Sequence, residues 1–183
     1  PPAPVLSKKE GLNRFVWDMK YPIMPGIPDV YIEAGFSGHK VSPGTYTFKL
    51  MVDGQSVSTT GTIKEVPIYE TKPGQYEEYD AFMTTAEAEL TTMHNMINQL
   101  YAVQENLTKV LKNVTEAAVK KEGDKLLADL KAWDNDMVQR KSQAYDDVEN
   151  FPNKFSAEYI FMINQTNSSI PRLNKSSIDR KAE

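Results

Sequence analysis

Thr45-Tyr46-Thr47-Phe48-Lys49-Leu50-Met51-Val52, then Asp53-Gly54, then Gln55-Ser56-Val57-Ser58-Thr59 is the stretch on which the reading of the fold turns. Over 45–52 apolar and polar residues alternate, so Tyr46, Phe48, Leu50 and Val52 share one face of a strand and Thr45, Thr47 and Lys49 the other. Asp-Gly between two such runs suits a two-residue type I′ turn, in which both central residues need positive φ. The return strand, over 55–66, puts Val57, Thr59 and Ile63 on one face and stops at Pro67. A β-hairpin is therefore expected, entered through the turn residues Pro43-Gly44.

Upstream, residues 12–18 (Leu-Asn-Arg-Phe-Val-Trp-Asp) carry a strand pattern with Phe15 and Trp17 directed inward. A Pro/Gly-rich stretch from Tyr21-Pro22 to Pro28 reads as a loop leading to a short Val30-Tyr31-Ile32 strand. Four strands with one apolar face need a cover. Helices that follow, or strands outside this sequence, would supply it.

Downstream the period changes. Ala86, Leu90, Met93, Ile97, Leu100, Leu107, Leu111 and Val114 recur at alternating four- and three-residue steps, interrupted only by Gln104. That stripe predicts a first helix over 76–118, about 60 Å long at 1.5 Å per residue. Gly123 is expected to cap it and Asp124 to open a second helix over 124–147, whose seam runs through Leu126, Leu130, Trp133 and Met137. Asn150-Phe151-Pro152 breaks that helix, and Phe155, Tyr159, Met162 and Thr166 mark a third over 154–170, closed by Pro171. The expected organisation is a linker (1–10, opening on Pro1-Pro2-Ala3-Pro4), a β unit (11–70), a helical bundle (75–172) and a polar tail (173–183) that frays or starts a fourth helix.

The fold class is thus α+β: a small antiparallel β unit followed by an antiparallel three-helix bundle with a long first helix. At 183 residues, 40% hydrophobic and 25% charged, the chain is long enough for two small cores. Its net charge of −4 is concentrated in the helical part, with 13 basic and 18 acidic residues from Gln75 on against 8 and 7 before it. An acidic excess argues against nucleic acid as a partner. No apolar run reaches the length of a membrane span. With no cysteine, thiolate catalysis and cysteine-ligated zinc are excluded.

Catalytic constellations are expected to be absent. Glu77-Glu78-Asp80 and Asp146-Asp147-Glu149 are acidic groups at helix ends, read as solvated surface rather than as a glycosidase carboxylate pair. Arg14, Arg140, Arg172 and Arg180 are dispersed, unlike the cluster a sialidase-type carboxylate site needs. His39 stands in a loop and His94 on a helix, with no spacing that makes a metal site and no evident carboxylate partner. No metal and no cofactor are expected. Trp17 and Trp133 read as core, leaving Tyr31 and Phe36 as the candidates for exposed aromatic contacts to a ligand such as a glycan. Leu107, Leu111 and Val114 would form an exposed apolar patch if the first helix outruns its partners, making a candidate interaction surface, including a homodimer through the helices. Five Asn-x-Ser/Thr sequons begin at Asn106, Asn113, Asn164, Asn167 and Asn174.

Gly11-Leu12-Asn13-Arg14-Phe15-Val16-Trp17-Asp18, Pro43-Gly44-Thr45-Tyr46, and farther on Leu127-Ala128-Asp129-Leu130-Lys131-Ala132-Trp133-Asp134 and Asn150-Phe151-Pro152-Asn153-Lys154 together resemble the C-terminal region of bacterial BNR-repeat, sortilin-like glycosyl hydrolase proteins. In that family a β-propeller precedes an immunoglobulin-like sandwich and a helical tail. The resemblance implies an incomplete immunoglobulin-like unit whose first strands and propeller precede Pro1. It also implies an exported location, periplasmic or at the cell surface, and the upstream propeller as a partner within the same polypeptide. The function it implies is that of a non-catalytic accessory module, the alternative being a carbohydrate-binding module serving an upstream glycosidase. In a bacterial protein the sequons are then chance.

Overall fold

The computed structural model describes residues 6–68 and 70–182; part of the expected linker, 1–5, lies outside them. The chain is α+β, with one two-stranded antiparallel sheet and five helices among the described residues. Strands β1 (Gly44–Val52) and β2 (Gln55–Ile63) pair in full register from Gly44 opposite Ile63 to Val52 opposite Gln55. Asp53 and Gly54 turn the hairpin at φ 49° and 80°, the paired positive values a type I′ turn requires.

The long helix α1 (Gln75–Leu111) is the axis of the helical part. Its N-terminal half buries Tyr79, Met83, Ala86 and Leu90 against Tyr159, Ile160, Met162 and Ile163 of α4 (Phe155–Ser168), with Met24 closing the cluster. Farther along, Ile97 meets Ile27 and Val138, with Trp133 and Met137 packed on them. The C-terminal half is covered by α2 (Ala117–Met137). Gln104 Nε2 donates to Leu130 O, and Leu111 lies on Gly123, so α1 and α2 run antiparallel. A short α3 (Asp147–Asn150) and a terminal α5 (Lys175–Ala182) complete the helices; α5 is tied to α4 through Thr166 Oγ1 and Ser177 Oγ at 2.7 Å.

Residues 19–41 form a strap laid across α1 and α4. Its two arms run antiparallel: Tyr21 N–H donates to His39 O, Val41 N–H to Met19 O and Met24 N–H to Phe36 O. Asn164 fastens the strap to α4 by using its side-chain amide as a strand would use its backbone, giving Nδ2–H to Gly35 O and taking Gly35 N–H, each at 3.0 Å.

Several expectations are corrected. No ladder forms over 12–18 or at Val30-Tyr31-Ile32; among the described residues, besides β1 and β2, there is only a bridge between Lys20 and Lys40. The β-rich composition of those segments finds no neighbouring strand to form a ladder with, and Pro22, Pro25 and Pro28 withhold three donors along the strap. Phe15 does not point inward but stands half exposed. The first helix ends at Leu111 rather than at 118, because the chain turns there to bring α2 against it. Gly123 is not a cap: it sits inside α2, where a Cβ would come within 2.3 Å of Leu111 Cδ2. The second helix runs over Ala117–Met137 rather than 124–147, so Asp124 lies inside it and does not open it. Val138 is extended and buried beneath the strap, and the side chain of Asp147 accepts from Gln143 N and Ala144 N to build a turn where helix was expected. The polar tail contains α5.

Candidate functional site

His39, at the end of the strap, is wholly buried over α1. Its ring stacks on Tyr21 at 4.3 Å and meets Tyr79 edge-on at 5.9 Å. Two carboxylates about two turns apart on the same face of α1 hold it. Nε2 lies 3.1 Å from Asp80 Oδ1, and Nδ1 lies 3.0 Å from Glu87 Oε2, though off the line an N–H would take. Glu87 Oε1 also accepts the His39 backbone N–H at 2.7 Å. Burial opposes a charged ring, but the hydrogen bonding and charge of Glu87, then of Asp80, outweigh it and hold the His39 pKa above its ordinary value. Asp80 further gathers the hydroxyls of Ser42 and Tyr21, each at 3.4 Å. Gly38, next in the chain, approaches so closely that a Cβ would lie 2.7 Å from the Tyr21 backbone.

This cluster corrects two sequence-level readings. His39 has two carboxylate partners, and Asp80 is not solvated surface at a helix end. Glu87 followed an a/d position in a regular helical pattern, which gives no local sign that a loop residue 48 positions earlier is its partner.

The second histidine is also used up inside the fold. His94 Nδ1 lies 2.7 Å from Pro25 O, which only accepts, so Nδ1 carries the proton and Nε2 accepts from Ser156 Oγ–H at 2.7 Å. Burial pushes the His94 pKa below its ordinary value, partly offset by the Pro25 carbonyl. A serine and an imidazole at this separation have the spacing of a nucleophile and its base. Both are fully buried, however, and the cavity beside Ser156 measures only about 20 Å³, room for a single water. The pair therefore ties the strap to α1 and α4.

Tyr31 and Phe36 are not brought together. Phe36 packs on the α1–α4 core with its ring 6.1 Å from His94. Tyr31 is half buried at that same small cavity, edge-on to Tyr145 and held through its backbone by Ser142. Leu111 is buried beside Gly123 of α2, and Leu107 and Val114 are half buried. Trp133 is half buried in the second core, and Trp17 is half buried on the hairpin, 5.5 Å from Tyr46 and 5.6 Å from Phe48, both edge-on.

Two surfaces away from these residues are open. The hairpin face that carries Phe48, Leu50, Val52 and Val57 is 42 to 72% exposed at those residues, and of the rings in the structure Trp17 and Tyr46 are what cover its base. A second surface is a groove of about 520 Å³ between α4 and α5, where Phe161, 57% exposed, is surrounded by Asn153, Gln165, Asn174 and the ion pair of Glu158 with Arg180. No helix is long and apolar enough to cross a membrane among the described residues, and these residues contain no group of three or more histidines and carboxylates placed to hold a metal ion. Comparison with protein-family models, curated proteins and solved structures returns no match.

Proposed function

We propose that this chain is a non-catalytic accessory module of a larger exported bacterial protein of the BNR β-propeller, glycosyl-hydrolase-like kind, and that its hairpin docks against the upstream β domain of the same polypeptide. The exposed apolar face of β1 and β2 carries this reading. A two-stranded ribbon is marginal on its own in water and gains stability when its apolar face is covered. Phe48, Leu50, Val52 and Val57 stand in line on that face, with Trp17 and Tyr46 forming its base. Such a ribbon suits an immunoglobulin-like sandwich whose remaining strands belong to the preceding part of the polypeptide. Both histidines are committed to buried contacts, which favours a structural role over a catalytic one.

Hydrogen exchange tests it. Amides of Gly44–Val52 and Gln55–Ile63 should exchange at least tenfold more slowly in the polypeptide extended by its native upstream sequence than in this chain, and Leu50→Asp should abolish the difference. Equal exchange in the two forms sinks the reading.

A second reading, a carbohydrate-binding module, is favoured by the α4–α5 groove. An exposed aromatic ring flanked by amide side chains suits the apolar face and hydroxyl rim of a neutral sugar. Titration with neutral tetrasaccharides, followed by NMR shifts at Phe161 and in Phe161→Ala, decides it. Unmoved signals at millimolar sugar exclude it.

A further inference from the structure

We infer that His39 is a proton-operated latch at the root of the hairpin: while both ring nitrogens carry protons the strap is pinned to α1, and loss of one proton releases residues 39–46 and frees the ribbon to reorient. The geometry favours protons on both ring nitrogens. Nε2 hydrogen-bonds Asp80 at 3.1 Å, Nδ1 stands 3.0 Å from Glu87 Oε2 in an ionic contact off the hydrogen-bond line, and the ring is wholly buried. A neutral imidazole has one N–H and one lone pair. Whichever tautomer forms, an unprotonated ring nitrogen then lies about 3 Å from a carboxylate oxygen in a buried site, an arrangement that costs more than the lost charge contact alone.

The latch sits where it can act on the ribbon. Asp80 accepts from Ser42 Oγ at 3.4 Å, Ser42 O accepts from Tyr46 Oη at 2.6 Å, and β1 begins between them at Gly44. Trp17, the ring that covers Tyr46 and Phe48, gives its indole N–H to Lys20 O on the strap. The polar contacts of Ser42, Tyr46 and Trp17 therefore lead back to the strap or to Asp80. The proton has a route out, because the Asp80 side chain is 32% exposed while the ring it touches is not.

The groups around the ring are Tyr79, Asp80 and Glu87 from α1, Tyr21 from the strap, and Tyr46 of β1 beyond Asp80. From α4 the neutral Asn167 reaches the cluster, accepting from Tyr79 Oη and from Lys40 N–H. The Lys20 ammonium is turned to Ser37 Oγ. Because the carboxylates hold the folded pKa above the ordinary value, the latch is closed below about pH 6.5 and opens as pH rises through the folded value. This inference is independent of what the ribbon docks against.

The test is an NMR titration of the His39 ring nitrogens with hydrogen exchange of the same chain from pH 6 to 9, corrected for intrinsic base catalysis. The expected result is a doubly protonated ring at pH 6.5, titration above the ordinary histidine range, and at least tenfold faster exchange at His39, Val41 and Tyr21 across that step. The amides of Glu87 to Ile97 should stay unchanged. In His39→Gln the step in exchange should vanish, and Glu87→Gln should lower the midpoint. Should His39→Gln fail to fold, the wild-type titration and Glu87→Gln decide alone. A ring that is neutral at pH 6.5, or strap exchange that ignores the titration, overturns the latch.

Discussion

Asp134 grips Arg140 with both oxygens, taking Nε–H at 2.6 Å and Nη2–H at 2.7 Å, while the guanidinium lies 3.7 Å above the ring of Tyr101. Three elements meet there: the end of α2, the chain that leaves it, and the middle of α1. Only a planar fork makes both contacts at once. Arg140→Lys should therefore lower stability by about 1–2 kcal/mol in urea unfolding, through loss of the second hydrogen bond and the stacking. Asp134→Ala should cost more, roughly 2–3 kcal/mol, since it strands a largely buried guanidinium.

At the far end of the helical pair, the contact between Gly123 and Leu111 predicts a reversal of sign. In the wild-type background Gly123→Ala crowds Leu111 and should destabilise by about 1 kcal/mol, overpacking outweighing the gain in helix propensity. In a Leu111→Ala background the crowding is gone, and the same substitution should stabilise by up to about 1 kcal/mol. Chemical denaturation of the four proteins measures the coupling.

The two histidines should shape opposite arms of the pH profile. His94 is held below its ordinary pKa, so its contribution is present above about pH 6.5 and is lost as pH falls through the folded value. His39 behaves in the reverse sense, its contribution present at low pH and lost on the alkaline side. Melting temperature against pH should show a dome. His94→Gln should flatten the acid arm and leave the alkaline arm in place.

On the hairpin, exposure separates binding from stability. Leu50→Lys and Val57→Glu change residues that are 51% and 72% exposed, and each should shift the stability of the chain by less than about 0.5 kcal/mol. Trp17→Ala removes the edge-on contacts to Tyr46 and Phe48 and should cost about 1–2 kcal/mol by thermal unfolding.

The hairpin and the long helix were legible in the sequence because each writes its own signal locally: alternation around Asp53-Gly54, and a stripe from Ala86 to Leu111. The helix ends were not, because they are set by partners. Gly123 has the composition of a cap and the environment of a close packing site, and only the position of Leu111 distinguishes them. The strap was legible as loop but not as the element that covers the core, since its hold on the helices comes from single polar side chains, Asn164, Glu87, His94 and Ser142, distant in sequence. The same reason hid the His39 cluster. Asn164 and Asn167 belong to sequons, yet their amides are engaged with Gly35, Lys40 and Tyr79.

The paired bonds between Gly35 and Asn164 join positions 129 apart in the chain, whereas Leu111 reaches Gly123 across a single turn. Loop closure grows costlier with length and non-local contacts are slow to find, so the two ends of α1 differ in when they become structured. The α1–α2 tip can assemble as soon as its own residues exist. The strap has to wait for α4, which follows α1 and α2 in the chain, and until then the apolar face of Tyr79, Met83 and Leu90 lacks its cover. During synthesis the vulnerable interval is therefore the one between emergence of the first helix and arrival of Asn164, and a chaperone would find its binding surface at the N-terminal half of α1 rather than at the tip.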